Sequence, residues 1–229
     1  MKGSTVLLAG LLAIGGVADA QEEDFLVASG KLSTEDFYRL VACRALPGGP
    51  CTQEPVRWPP GRAQDLSVGF APVSSAYPPE MIRRMIAAVD RAMAEINGAG
   101  AALHLRRAGK GETPDVLFQL STVQEGDAID GTGLSGVDGQ QLGAAMVTVW
   151  WDDGQDLDQA LIVMAEDLPP ADVGPVVLEE LTQAMGLMTD IRDPYYDDIS
   201  VFAEDSNSVT RLGPQDREAL RRHYPIESP

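Results

Sequence analysis

The chain has 229 residues, of which 17 are Lys or Arg and 35 are Asp or Glu, so its formal net charge at pH 7 is −18. This excess of negative charge repels nucleic acids and anionic membrane surfaces, and neither is expected as a partner. Hydrophobic residues make up 44 % of the sequence, a composition typical of globular proteins rather than of disordered chains.

The first twenty residues are typical of a secretory signal peptide. Lys2 gives a positive start, residues 6–17 form an apolar run of twelve, and Ala18-Asp19-Ala20 offers small residues at a cleavage site. The run is too short for a membrane anchor, because a spanning helix needs about 20 residues. We therefore expect cleavage after Ala20, no membrane insertion of the mature protein, and a soluble protein in the periplasm or outside the cell.

Residues 21–56 are predicted to form an N-terminal extension. Ser33 precedes apolar residues at helical spacing, which predicts a capped short helix running into Cys43. Cys43 and Cys51 are the two cysteines of the chain, and a segment rich in proline and glycine lies between them. In an exported protein this pair favours a disulfide, with two free buried thiols as the alternative. A proline-rich connector over 53–60 ends the extension.

Residues 57–229 are predicted to form one α+β domain. Apolar alternation or short apolar runs predict five strands, near residues 66–70, 103–105, 116–120, 146–150 and 161–164. Helical spacing of apolar residues and terminal Pro or Gly predict three long helices, over 79–97, 173–187 and from Pro214 onward. The segment 125–143 is rich in Gly and Asp and is predicted to be a loop.

Two histidines are present, His104 and His223, which argues against a mechanism that needs a histidine cluster. His104 lies between two leucines and is expected to face outward from a strand. His223 follows two arginines in the last predicted helix, and we expect it at a solvated helix end.

The segment 178–190 resembles the zinc-binding helix of the zincin metalloproteases. In that family two histidines four residues apart hold zinc, the glutamate after the first is the general base, and a later glycine lets the chain turn toward a third ligand. The resemblance places five residues at these positions in order: Glu179, Glu180 as the base, Gln183, Gly186 and Thr189. The next residue, Asp190, completes the motif region.

The resemblance to zincins covers residues 57–224 and includes features outside the motif helix. These are Trp58, the helix at 79–97, Asp115-Val116, Ser200-Val201-Phe202, and the ending Leu212-Gly213-Pro214-Gln215-Asp216 with the helix after it. It implies a mixed twisted sheet of about five strands with a long N-terminal helix, a central motif helix and a C-terminal helix.

More narrowly, the mature chain resembles domain-of-unknown-function family 2927, which comprises exported proteobacterial proteins. Three segments carry this resemblance: residues 36–43 (Asp-Phe-Tyr-Arg-Leu-Val-Ala-Cys), Arg57-Trp58-Pro59, and residues 179–183 (Glu-Glu-Leu-Thr-Gln). The family has no established activity that could be transferred to this chain.

The motif departs from the zincin pattern at all three ligand positions, none of which is a histidine. The amide of Gln183 and the hydroxyl of Thr189 are poor zinc donors, and Glu179 alone does not hold a catalytic zinc. No zinc or other cofactor is therefore expected, and Glu180 keeps a vestigial base position. This favours a pseudoprotease with a binding, scaffolding or envelope function and an unidentified protein or peptide partner. The alternative is a metal-dependent, peptidase-like hydrolase that uses Glu180 with atypical ligands.

A calcium-stabilised structural module is the second alternative. Acidic residues with oxygen ligands of the kind that calcium prefers follow the motif helix: Asp190, Asp193, Asp197, Asp198, Glu204 and Asp205. They lack the spacing of a regular calcium loop, and a solvated acidic surface is the favoured interpretation. The metal content of the purified protein separates the three hypotheses. The pseudoprotease is expected to hold no metal, the hydrolase zinc, and the structural module calcium.

Overall fold

The structure is a computed structural model that describes Thr5–Leu8, residues 25–75 and residues 77–226. Most of the predicted signal peptide, including the cleavage site after Ala20, lies outside the described residues. Thr5–Leu8 forms strand β1, which pairs antiparallel with residues 148–151. If the signal peptide is cleaved as predicted, the mature protein lacks β1. Within the described part of the chain, no helix is long and apolar enough to cross a membrane.

In the part of the chain that the structure describes, the main sheet has six strands: β1, β3 (Leu66–Phe70), β4 (Leu105–Arg107), β5 (Val116–Leu120), β6 (Ala145–Trp151) and β7 (Leu157–Met164). Their order across the sheet is β1-β6-β7-β5-β3-β4. Strands β4, β3, β5 and β7 are parallel to one another, whereas β6 runs antiparallel to β7. The sheet is mixed and the fold contains separate helices, which agrees with the predicted α+β class.

The sequence located four of these strands with errors at their ends only, whereas the strand predicted near 103–105 lies two residues later, at Leu105–Arg107. The last predicted strand, at 161–164, begins four residues earlier because Leu157 and Gln159 pair with Trp151 and Trp150 of β6. A second, two-stranded parallel sheet joins β2 (Phe25–Val27) to β8 (Asp190–Arg192) and was not predicted. Strands of three residues are too short to show a period in the sequence.

The described residues form five helices: α1 (Thr34–Cys43), α2 (Pro60–Ala63), α3 (Pro79–Asn97), α4 (Val173–Gln183) and α5 (Pro214–His223). The hydroxyl of Ser33 accepts a hydrogen bond from the amide of Asp36 at 3.0 Å, so the predicted cap of α1 is confirmed. Helix α4 ends at Gln183, four residues before the predicted end. The chain then turns through Gly186, whose φ of +91° does not continue a helix.

The disulfide between Cys43 and Cys51 is confirmed, with 5.2 Å between the two Cα atoms. The N-terminal extension packs into the same core as the rest of the chain. Phe37 of α1 is fully buried, and its ring centroid lies 5.6 Å from that of Tyr196 and 6.0 Å from that of Phe202. Residues 25–56 are thus an integral layer of the fold.

The two faces of the sheet are covered differently. Alternate residues of β7 point to opposite faces, so Ile162 joins the core formed with the helices, whereas Leu161 and Val163 contact a smaller core. That smaller core is filled from the segment 125–143, which contains no helix or strand and matches the predicted loop. The helices α3 and α4 pack closely against each other on the main core.

The two histidines have opposite environments. His104 is exposed, as expected, but it lies immediately before β4 and not within a strand. The prediction of a solvated His223 is wrong, because this side chain is 0 % exposed. Its Nε2 lies 2.9 Å from the carbonyl oxygen of Val56 and its Nδ1 lies 3.4 Å from the hydroxyl of Tyr38. The packing of α1 and the connector on α5 buries this residue.

Candidate functional site

Helix α4 carries the first three motif residues, Glu179, Glu180 and Gln183. Glu179 and Gln183 are four residues apart on the helix and therefore lie one turn apart on one face. Glu180 is 8 % exposed and Gln183 is also buried, while Glu179 is partly buried. Two polar side chains of the motif are therefore buried, and the third lies at the boundary between the interior and the surface.

Gln183 and Asp190 form a direct contact across the turn that follows α4. The Gln183 amide nitrogen lies 2.9 Å from one carboxylate oxygen of Asp190 and 3.0 Å from the other. Asp190 opens β8, which pairs with β2 from the N-terminal extension. An amide nitrogen is a hydrogen-bond donor and not a metal ligand, so this position stabilises the fold around the motif by hydrogen bonding.

Carboxylates crowd the end of α4. Burial raises the pKa of Glu179 well above its usual value, and the neighbouring charges of Asp190, Glu180 and Glu204 raise it further. Such repulsion favours a proton or a bound cation at this point. In the described residues, however, no three His, Cys, Asp or Glu side chains are grouped so that they could hold a metal ion.

The donor set does not fit the zinc that the zincin resemblance implies. At the three ligand positions stand one carboxylate, Glu179, the amide of Gln183, which donates to Asp190, and the hydroxyl of Thr189. Zinc sites in proteins use histidine, cysteine and carboxylate ligands in sets of three or four. The side chains at these three positions therefore do not make up a zinc-binding set.

Gly186 and Thr189 shape the turn after the motif helix. At Gly186 a Cβ atom would lie only 2.0 Å from the carbonyl oxygen of Val56, so glycine is required both by its φ and by this close approach. The amide of Thr189 donates to the carbonyl of Val41 at 3.3 Å. These two contacts join the turn after α4 to the connector and to α1.

The acidic residues that were considered as calcium ligands contact different partners. Asp193 accepts hydrogen bonds from the amides of Gly30 and Tyr195. Arg192 forms ion pairs with Glu204 and Asp205, both at 3.1 Å. These are ordinary structural roles for carboxylates, and they give no support to a shared calcium site.

A cavity of about 390 Å³ opens beside the turn that joins α4 to β8, residues 184–189, which we call the motif turn. Four chain segments form its wall: the end of α1, the connector, the turn between β6 and β7, and the turn after α4. The lining residues are Ala42, Gln53, Glu54, Val56, Trp151, Asp152, Asp153, Gln155, Gly186, Met188 and Thr189. Two of the predicted motif residues, Gly186 and Thr189, thus line the cavity, whereas Glu179, Glu180 and Gln183 do not.

Most of the cavity residues were not predicted from the sequence. The cavity unites residues that are up to 147 positions apart in the chain, between Ala42 and Thr189. The acidic turn Asp152-Asp153-Gly154 next to Trp151 was a visible signal in the sequence, because an aromatic residue beside a charged loop is common in binding sites.

Comparisons with known proteins supply no family for this chain. No model of a protein family matches it, and no curated protein matches its sequence. The function is therefore inferred from the residues and geometry of the site.

Proposed function

We propose that this protein is an exported, non-proteolytic, zincin-like binding protein of the type found in domain-of-unknown-function family 2927. The arrangement of elements supports a zincin-like fold. A long helix, α3, follows the first parallel strand; the motif helix α4 follows the last strand of the main sheet; and α5 closes the chain. This is the order that the resemblance implies for a mixed sheet with three principal helices.

The hydrogen bond from Gln183 to Asp190 is the observation that carries the non-proteolytic assignment. In an active zincin the residue at this position donates an electron pair to the metal. Here the amide nitrogen points at both carboxylate oxygens of Asp190, at 2.9 and 3.0 Å. The carboxylate is in turn an acceptor for this amide, so both side chains serve the packing of α4 against β8.

Glu180 occupies the position of the general base without a metal-bound water to activate. A buried carboxylate acts as a base on water efficiently when a metal has lowered the pKa of that water to about 7. Glu180 instead lies beside Glu179, whose pKa is already raised by burial and neighbouring negative charge. Added negative charge at this point disfavours a second ionised carboxylate rather than assisting hydrolysis.

The cavity beside the motif supports a binding function. Its volume of about 390 Å³ falls in the range of ligand pockets in proteins, roughly 300–1,000 Å³. It combines buried apolar residues, such as Trp151 and Val56, with polar side chains at its edge. Such a cavity suits a side chain or a short segment of a protein or peptide partner.

Export is supported by two independent features. The first twenty residues have the pattern of a signal peptide. The chain also carries a disulfide between Cys43 and Cys51, and such bonds persist in oxidising compartments. Together they favour the periplasm or the extracellular medium.

Two measurements on the mature protein, purified without chelators, test the proposal. Elemental analysis gives the content of zinc and calcium per chain. Incubation with a broad peptide library, followed by mass spectrometry, detects cleavage with and without a chelator, in the wild type and in the Glu180→Gln variant. We expect no stoichiometric metal and no chelator-sensitive cleavage in either protein.

The alternatives give different results in the same experiment. One zinc per chain, with cleavage that a chelator and Glu180→Gln both abolish, would establish the metal-dependent hydrolase and overturn the proposal. One calcium per chain, with thermal stability that falls on calcium removal, would establish the structural calcium module.

A further inference from the structure

Strand β6 has an outer edge that β1 covers in the full chain. Thr5–Leu8 pairs antiparallel with residues 148–151, the second half of β6. Among the strands that the structure describes, β1 is the one that lies on this side of β6, because the order continues on the other side with β7. Cleavage after Ala20, as predicted, removes β1. The outer backbone N–H and C=O groups of β6, which we call the β6 edge, then lack a partner strand.

The β6 edge has little protection against pairing with another strand. Its seven residues, Ala-Met-Val-Thr-Val-Trp-Trp, include no charged residue and no proline. The pairing of β6 with β7 is regular from Ala145 to Trp150, and the irregularity between Trp150 and Trp151 lies at the end of the strand. Charged side chains, proline and bulges are the usual means by which proteins protect an edge strand. A regular, uncharged edge of this length therefore favours the addition of a strand.

Thr148 gives a second, independent indication that a strand belongs beside β6. This residue is the midpoint of Ala145–Trp151 and is 1 % exposed. Its hydroxyl is buried and makes no hydrogen bond within the described part of the chain. A buried hydroxyl without a partner costs free energy. On an adjacent antiparallel strand, the Cβ atom directly opposite lies about 4.5–5.5 Å away, and two threonines at such positions hydrogen-bond to each other.

We propose that two mature chains pair through the β6 edge, antiparallel and about a twofold axis at Thr148. This register places Thr148 of one copy opposite Thr148 of the second copy, so that each hydroxyl gains a hydrogen-bond partner. It places Met146 opposite Trp150 of the second copy, and both side chains are partly buried on the same face of the sheet as Thr148. Contacts between a thioether and an aromatic ring are favourable. Because the axis lies at the centre of the strand, the pairing is self-complementary and joins the two main sheets into one.

The charge of the protein determines how this pairing depends on salt. Cleavage removes Lys2 and Asp19, one charge of each sign, so each mature chain keeps the net charge of −18. Two such chains repel each other, and salt screens this repulsion. The β6 edge itself is uncharged, so salt should strengthen the dimer. The inference rests on the predicted cleavage after Ala20 and is independent of the non-proteolytic assignment.

Sedimentation equilibrium of the mature wild-type protein tests for the dimer. A single pair of short strands buries less than the ~1,200 Å² of a standard stable interface, so we expect a reversible dimer with a Kd of about 10–500 µM at about 0.5 M salt. At about 0.05 M salt the Kd should be at least about threefold higher. A mature protein that stays monomeric at about 500 µM and about 0.5 M salt overturns the inference, and it excludes a second copy as the occupant of the β6 edge.

Disulfide cross-linking tests the register. The twofold axis brings the two Cα atoms of residue 148 to about 4.5–5.5 Å from each other, within the ~4.4–6.8 Å that a disulfide requires. Mature Thr148→Cys should therefore form a covalent dimer on mild oxidation. Val149→Cys is the matched control, because Val149 is also buried but points to the opposite face and lies opposite Val147 of the second copy. The control should give at least about tenfold less covalent dimer, and equal or greater cross-linking of the control overturns the proposed register.

The full chain supplies a second control, because it keeps β1. There Leu8 lies opposite Thr148 and occupies the place of the second copy. Thr148→Cys in the full chain should give at least about tenfold less covalent dimer than the same substitution in the mature protein. Equal cross-linking of the two forms would show that the copies do not meet at the β6 edge, and it would overturn the inference. Melting temperatures verify that the variants fold, and the sedimentation of the wild type depends on neither substitution.

Discussion

Gly186 and Val56 are in contact so close that no side chain fits between them. A Cβ atom added at Gly186 would lie 2.0 Å from the carbonyl oxygen of Val56, and the same oxygen lies 2.9 Å from Nε2 of His223. The motif turn, the connector and the last helix therefore meet at one carbonyl group. This junction also forms one wall of the cavity, because Gly186 and Val56 both line it.

Substitution of Gly186 by alanine should strongly destabilise the protein. The new Cβ would collide with the Val56 carbonyl and would sit at a φ of +91°. We expect a loss of about 3 kcal/mol or more in the free energy of unfolding. Gly139→Ala is the matched control, because its φ is +94° and nothing lies within 4 Å of the added Cβ. The control should cost only about 1–2 kcal/mol, and urea titrations of both variants compare them. Equal losses would show that the contact with Val56 is unimportant.

The buried His223 should make the protein less stable in mild acid. Burial, assisted by the positive charge of Arg57, lowers the pKa of His223 to about 3. Below about pH 6.5 the unfolded chain binds a proton that the folded protein does not, so stability falls as the pH falls. This contribution approaches about 1.4 kcal/mol per pH unit. Urea titrations from pH 8 to pH 5 should show a smaller loss in His223→Gln. Parallel curves for the two proteins would contradict a neutral His223.

Replacement of Glu179 by glutamine should stabilise the protein above neutral pH. Burial and the charges of Asp190, Glu180 and Glu204 raise the pKa of Glu179, so its ionised form opposes folding. Because the folded protein holds this proton more tightly than the unfolded chain, wild-type stability rises as the pH falls, and the variant's advantage disappears. We expect a gain of about 1 kcal/mol at pH 8. The exposed Glu125→Gln should show no such pH-dependent gain, and a gain that persists at pH 4 would point to another cause.

Asp216 holds the turn at residues 200–202 against α5. One of its carboxylate oxygens accepts from the hydroxyl of Ser200 at 2.7 Å, and the other accepts from the amides of Val201 and Gly213. Alanine would leave these buried donors without an acceptor, at a cost of about 3 kcal/mol or more. Asparagine can still accept from both amides and donate to Ser200, so Asp216→Asn should cost much less. Thermal unfolding distinguishes them, and equal melting temperatures would refute the hydrogen-bonding role.

The disulfide should be present in exported protein and should contribute to its stability. We expect the intact mass of a chain that begins at Gln21, and a mass gain of two hydrogen atoms on reduction, because Cys43 and Cys51 are bonded. The bond closes a short loop, so reduction should lower the free energy of unfolding by about 2–3 kcal/mol. Alkylation of two thiols in native, unreduced protein would contradict this prediction.

The sequence by itself determined features that depend on nearby residues. The cap at Ser33, the bounds of α3 at Pro79–Asn97, strand β5 and the pairing of the two cysteines were all predictable. A cap involves residues three apart, and helices and strands repeat their apolar residues with short periods. Such information is present in any window of a dozen residues. The motif helix α4 was located for the same reason.

Tertiary structure alone decided the environment of the site. The contact of His223 with Val56 joins residues 167 positions apart, and the cavity combines four segments of the chain. The sequence placed Gln183 at a ligand position, but only the fold showed that it bonds Asp190. These contacts depend on how β8, α1 and the connector pack around the end of α4. Packing is set by the summed burial of many side chains, and no local pattern in the sequence records which distant group will meet a given polar atom.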